Sequence, residues 1–166
     1  MNKSEIPAEQ KAVLSMLLDD HRKVKKIFKD FESEKDAQKK QSMVTEVCNE
    51  LTVHTRIEEE KFYPFLREQN EKVFGDMLNE ALVEHASAKE LISQLRQMTP
   101  DDEFYDAKVT VLGEYVNHHV TEEEDEMFTK VISKKVDLRE LEEPMKQLKE
   151  QAMADEEKGG SAKQKR

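Results

Sequence analysis

A histidine and a glutamate stand four residues apart in His54-Thr55-Arg56-Ile57-Glu58, and the spacing returns sixty-five residues later in His119-Val120-Thr121-Glu122-Glu123. Further acids follow each pair, and an aromatic falls at the same offset in both, Tyr63 and Phe128. On a helix, positions i and i+4 share a face with about 6 Å of rise between them. Such a pair can share one cation or bridge two.

The elements that would carry these residues are four amphipathic helices, and each has a histidine where its apolar stripe should continue. The first starts after Pro7, with Ser4 or the residues before the proline as its cap, and runs to about Phe31 on Leu14, Leu17, Leu18, Val24, Phe28 and Phe31, with His21 in the stripe. The second carries Val44, Val47 and Leu51, then His54 and Glu58, then Phe62 and Phe65; Pro64 is expected to kink or end it, with the turn near Arg67 to Asn70. The third places Phe74, Leu78, Leu82, His85, Ala88, Ile92 and Leu95 on one face before Thr99-Pro100. The fourth, capped by Asp101 or Asp102, carries Val109, Leu112, Val116, His119, Glu123, Met127 and Val131.

Leu14, Leu18, His21, Phe28 and Phe31 recur, shifted by sixty-four, as Leu78, Leu82, His85, Ile92 and Leu95, so the halves are related by an internal repeat. The expected fold is all-α: an antiparallel up-down-up-down four-helix bundle over residues 1–135, with ligands in its core. A C-terminal helical extension over 136–158 follows, with Leu138, Leu141, Met145 and Leu148 as a thin seam and Pro144 limiting its first part. The tail, 159–166, has nothing to bury and is expected to be disordered.

A formal charge of -10 argues against a nucleic-acid partner, and the basic run Arg22 to Lys26 reads as a solvated face. No apolar run is long enough for a membrane span. The single cysteine, Cys48, excludes an internal disulfide and reads as a packing residue; with no cleavable signal, a cytoplasmic location is expected. With 39% charged residues and a mean hydropathy of -0.87, the apolar residues must be concentrated on helix faces.

His21, His54, Glu58, His85, His119 and Glu123 therefore fall together in the buried interior. Burying them without partners would cost several kcal/mol for each ion, against a total stability of roughly 5–15 kcal/mol; a cation removes that cost. Imidazole with carboxylate suits iron, manganese or zinc rather than calcium, and six ligands with two carboxylates able to bridge suit two metals better than one. His118 with Glu122 forms a neighbouring register that could replace or join His119 and Glu123. Glu59 and Glu124 read as solvated, or as supporting a ligand, and Tyr115 as a packing residue or a donor near His119.

The set of His21, His54-x3-Glu58, His85 and His119-x3-Glu123 resembles the hemerythrin-like, or HHE cation-binding, domain over about residues 8 to 134. The resemblance implies a four-helix bundle around a non-haem, oxo- or hydroxo-bridged di-iron centre, with iron ahead of manganese or zinc. The two glutamates would bridge, leaving an open position for oxygen or a related small molecule. The oxygen carriers of that family have a second histidine one turn after the third-helix ligand, where this chain has Lys89. Reversible oxygen carriage is thereby put in doubt, and without a cysteine-containing N-terminal domain an iron-sulfur repair role is disfavoured. The expected function is binding or sensing of O2, peroxide or nitric oxide, in a monomer or homodimer. The alternatives are an enzyme acting on peroxide or ferrous iron and a metal-free helical interaction module.

Overall fold

The computed structural model describes residues 1–164. Helix α1 spans Ala8–Ser33 and α2 Ala37–Ile57; α2 passes through a π-helical turn, Glu58–Phe62, into α3, Tyr63–Gln69. Helix α4 spans Glu71–Leu95, and α5, Tyr105–Glu122, passes through a second π turn, Glu123–Phe128, into α6, Thr129–Ser133. A short 3-10 turn, Arg139–Leu141, leads into α7, Glu142–Gln164. The described residues are all-helical, a four-helix bundle with a C-terminal helix added. None of these helices is long and apolar enough to cross a membrane.

The helix ends follow local chemistry, though not always the expected residue. Pro7 itself is the α1 N-cap, and no side chain caps that end. Asp36 caps α2 by accepting from the Lys39 amide, and Asn70 caps α4 by accepting from the Val73 amide. Neither Asp101 nor Asp102 caps α5: Phe104 holds that position, and Asp102 instead accepts from the Thr99 amide at 2.7 Å within the preceding turn. Pro64 follows the π turn inside a continuous helix, where its missing amide hydrogen removes one backbone bond, and Pro144 lies in the first turn of α7, where an amide hydrogen has no partner within the helix. Helix α7 continues past Gly159 to Gln164, into the tail expected to lack structure; Lys165 and Arg166 lie outside the described residues.

Two hydrophobic clusters fill the bundle. One gathers Leu14, Leu17, Leu18, Ile57, Phe62, Leu66, Phe74, Leu78 and Phe128, and adds Leu138, Leu141 and Met145 from the C-terminal segment. The other gathers Val24, Phe31, Val47, Cys48, Leu51, Ile92, Leu95, Leu112 and Val116. Between them along each long helix lies the level of His21, His54, His85 and His119. Cys48 is fully buried, and burial pushes its thiol up to about 11.

Helix α7 packs along α2, held by Lys149 on Asp20 (2.7 Å), Arg56 on Asp155 (3.0 Å) and Arg96 on Glu156 (3.1 Å). The connector before it is fixed to α1 by Gln10, whose side-chain amide donates to the Val136 carbonyl, and by the Leu138 amide, which donates to the Glu9 carbonyl. Leu82, read as a stripe residue, is 37% exposed, and Ala81 is buried in its place. Its repeat partner Leu18 is 1% exposed and shares a cluster with Leu141 and Met145.

Candidate metal centre

All six residues singled out by the stripes converge. His21, His54, Glu58 and Glu123 place one ligand atom each within 4.8 Å of one another, and Glu58, His85 and His119 do the same. Glu58 belongs to both groups. Its Oε1 lies 3.2 Å from Nε2 of His54, 3.2 Å from Nε2 of His85 and 3.9 Å from Nε2 of His119. Glu123 spans the other way, with Oε1 3.2 Å from His21 Nε2 and Oε2 3.3 Å from His119 Nε2. Each glutamate thus links the histidine pair of one half to that of the other.

The orientation of the imidazoles comes from acids behind them. Nδ1 of His21 meets Glu124, of His54 Asp20, and of His85 Glu59, each at 2.9 Å; Nδ1 of His119 faces Glu84 at 3.5 Å. A carboxylate that accepts from Nδ1 fixes the tautomer and turns Nε2 toward the centre, the arrangement common behind metal-binding histidines. Glu59 and Glu124 therefore hold histidines of the cluster, His85 and His21, rather than facing solvent alone. Asp20 and Glu84 were not foreseen. They sit just before His21 and His85 yet serve histidines on the neighbouring helices, so only helix adjacency reveals them.

The interior carries polar atoms with no hydrogen-bond partner among the described residues. His21 Nε2, His54 Nε2, both oxygens of Glu58 and Oε1 of Glu123 are buried without a hydrogen-bond partner. Native interiors leave few such groups, and each unpaired one costs stability. Four imidazole nitrogens and two carboxylates aimed at one volume fit a pair of transition-metal cations, which would satisfy these atoms together.

Without a cation, protons are the available counter-charge. Burial works against the charged form of His54, but the charge of Glu58 and the hydrogen bond to Asp20 outweigh it and hold its pKa well above the ordinary value. For His119, burial is likewise overcome by the nearby Glu123 and Glu58 carboxylates, and its pKa rises to about 11. His21 and His85 shift upward for the same reasons. Glu58 goes the other way: burial favours its neutral form, but the His54 charge and the close approach of His119 and His85 hold it well below the usual carboxylate range.

Tyr63 is the further residue that sequence reasoning passed over. Its hydroxyl donates to Glu123 Oε2 at 2.6 Å and lies 3.4 Å from His85 Nε2 and 3.5 Å from His119 Nε2. The π turn brings it there. The extra residue of that turn rotates everything after it, so Tyr63 and Leu66 face the core where Phe65 was expected. The shared aromatic offset was the available signal. Tyr115, the other candidate donor, is about half exposed. His118 and Glu122 do not join the buried set; they pair with each other on the surface at 3.1 Å.

Above the cage, a small cavity of about 30 Å³ is bordered by all four histidines and by Val24, Leu51, Ala88, Val116 and Val120. Its other side-chain neighbours include Thr55, Tyr115 and the acids Asp20 and Glu84.

Comparison with known proteins agrees with this geometry. A curated relative, a DNA nickase from Nostoc sp., is 29% identical over 113 residues, which are 68% of this chain and 31% of that protein; the chain thus spans about a third of that relative's length. A crystal structure of a hemerythrin HHE cation binding domain-containing protein from Mycobacterium kansasii superposes with a TM-score of 0.68 at 21% identity, over 85% of this chain and 86% of that one, and so shares the fold. The family model of the hemerythrin HHE cation binding domain matches residues 12–131, the stretch that holds every one of the six converging side chains, and the chain belongs to that family.

Proposed function

We propose that the chain is a di-iron protein that binds or senses a small oxidant or diatomic molecule: dioxygen, peroxide or nitric oxide. His21 and His54 would hold one ion and His85 and His119 the other, with Glu58 and Glu123 bridging. The observation that carries the reading of the ligand is the small cavity against all four histidines. At about 30 Å³ it has room for a molecule of a few atoms, while an organic substrate needs several hundred. When bound, the two ions would supply redox chemistry and Lewis acidity. The protein's part is to orient the four imidazoles through Asp20, Glu59, Glu84 and Glu124, and to exclude bulk water with Val24, Leu51 and Val116.

The test is anaerobic reconstitution with ferrous iron, followed by addition of each of the three molecules while the electronic spectrum is recorded. A saturable, stoichiometric change with at least one supports the reading; an unchanged spectrum with all three contradicts it.

One observation favours an enzymatic alternative in which peroxide is turned over. The Tyr63 hydroxyl is buried, and burial together with the charges of Glu123 and Glu58 holds its pKa well above the ordinary value, so it keeps its proton beside the cage. A phenol so placed can donate a hydrogen bond or a proton to a bound ligand. Multiple turnovers of peroxide that fall in Tyr63→Phe, at unchanged metal content, would select this alternative; a single stoichiometric reaction insensitive to that substitution would select binding.

A further inference from the structure

His118 and Glu122, outside the buried cage, have a geometry of their own. His118 Nε2 stands 3.1 Å from Glu122 Oε1 and 3.9 Å from Glu84 Oε2, and one ligand atom from each of the three lies within 4.8 Å of the others. Glu84 faces two ways, because its other oxygen lies 3.5 Å from Nδ1 of His119. A narrow cavity of about 20 Å³ adjoins it, wide enough for about one water molecule. Glu80, Glu84, Glu122 and Glu126 line that cavity, and its inner wall is His119 and Glu123. Glu123 is 2% exposed, and its Oε1 has no hydrogen-bond partner.

We propose that Glu84, His118 and Glu122 form a surface site for a divalent transition-metal ion, from which the ion passes along the glutamate-lined cavity to the buried cage. The destination rests on the function proposed above; the surface site rests on its own residues. One imidazole with two carboxylates selects iron, manganese, cobalt or zinc over magnesium or calcium. Three protein ligands at an exposed position leave the rest of the coordination to water, which suits capture and release rather than storage. A cleft lined by charge of one sign concentrates counter-ions and speeds their entry.

The repeat supports a one-sided entrance. The counterparts of His118 and Glu122 in the first half are Val53 and Ile57, both buried in the cluster that α7 completes. The counterpart of Glu84 is Asp20, buried and paired with Lys149. The full trio of ligand-type side chains is thus present on the open face, while on the sealed face the acid Asp20 stands with two apolar residues.

The test follows Co2+ entering the metal-free full chain, with the imidazole NMR signals and stopped-flow absorbance read together. In the wild type, the His118 signal should shift with added Co2+, and Glu122→Gln should weaken that response. Glu122→Gln and His118→Ala should slow filling of the cage by about tenfold or more while leaving the cage's own final occupancy by cobalt unchanged. A His118 signal indifferent to Co2+ overturns the surface site. Filling at an unchanged rate in both variants overturns the entrance role alone, whereas a wild-type cage that takes no cobalt while His118 still responds overturns the entrance role together with the proposed function.

Discussion

The two halves of the bundle carry the same ligands and differ in what surrounds them. His21, His54, Glu58 and Glu59 correspond to His85, His119, Glu123 and Glu124, and in each half the acid after the buried glutamate supports the lone histidine of the other half. The first half is sealed: α7 covers Leu18, Val53 and Ile57, and Lys149 closes over Asp20. The second half is open: Leu82 and Val83 are exposed, and Glu84 keeps a quarter of its surface in water. The aromatics after the bridges differ too. Phe128 stacks on His21 at 6.0 Å, while Tyr63 stacks on His85 at 5.4 Å and adds a hydroxyl. In the proposed centre the repeated set would supply two similar metal positions, and the unrepeated surroundings would place the Tyr63 hydroxyl and the open face beside one of them.

The most drastic way to break the symmetry is to remove a bridge. Glu58 approaches three histidines and Glu123 two, so Glu58→Ala should cut metal content from about two ions per chain to one or fewer, and Glu123→Ala should lose less. Metal analysis of the purified variants checks the order. The cover on the sealed half is tested by Met145, fully buried from α7: Met145→Ala should cost about 2–5 kcal/mol in urea unfolding of the metal-free chain. Leu82→Ala, on the open half, should cost less than about 1 kcal/mol because its side chain already meets water.

A finer contrast lies behind the histidines. Asp20 is buried, 2.9 Å from His54 and paired with Lys149, whereas Glu84 is 3.5 Å from His119 and partly exposed. Asp20→Asn should weaken metal affinity roughly 10–100-fold, and Glu84→Gln less, as read by competition with a chelator. The smallest expected difference concerns the ends of the halves. Helix α6 closes with Lys135 at φ 55, where the Val136 amide donates to the Val131 carbonyl; the matching Asn70 has φ -164 and caps the next helix instead. A side chain is disfavoured at positive φ, so Lys135→Gly should stabilise by roughly 0.5–1 kcal/mol, while Asn70→Gly should destabilise through loss of its cap.

The cage was legible because a polar residue that interrupts an apolar stripe at helical spacing is carried into the interior, where it must find a partner. His54 with Glu58 and His119 with Glu123 interrupt their stripes in the same register, so the partner they need is a shared one. The supporting acids were partly legible. Glu59 and Glu124 drew notice by flanking the bridges, but Asp20 and Glu84 act across helices, and no spacing within one helix points to that. Tyr63 and Leu66 were lost to the π turn, since a continuous 3.6-residue period carries the stripe to Phe65 instead. Ala81 in place of Leu82 has a tertiary cause: among the described residues no element covers the second half as α7 covers the first, so the larger side chain is left outside.

The most direct measurement is calorimetric titration of the metal-free chain with ferrous iron, without oxygen, in buffers of different ionisation enthalpy. His54 is held well above its ordinary value and His119 rises to about 11, so at pH 7 these two carry protons that metal ions must displace, and His21 and His85 shift in the same direction. The expected result is two ions per chain, net proton release at pH 7, and affinity that falls as the pH is lowered. Binding of no iron or of one ion only, or uptake of two with no release of protons, would contradict the di-iron cage.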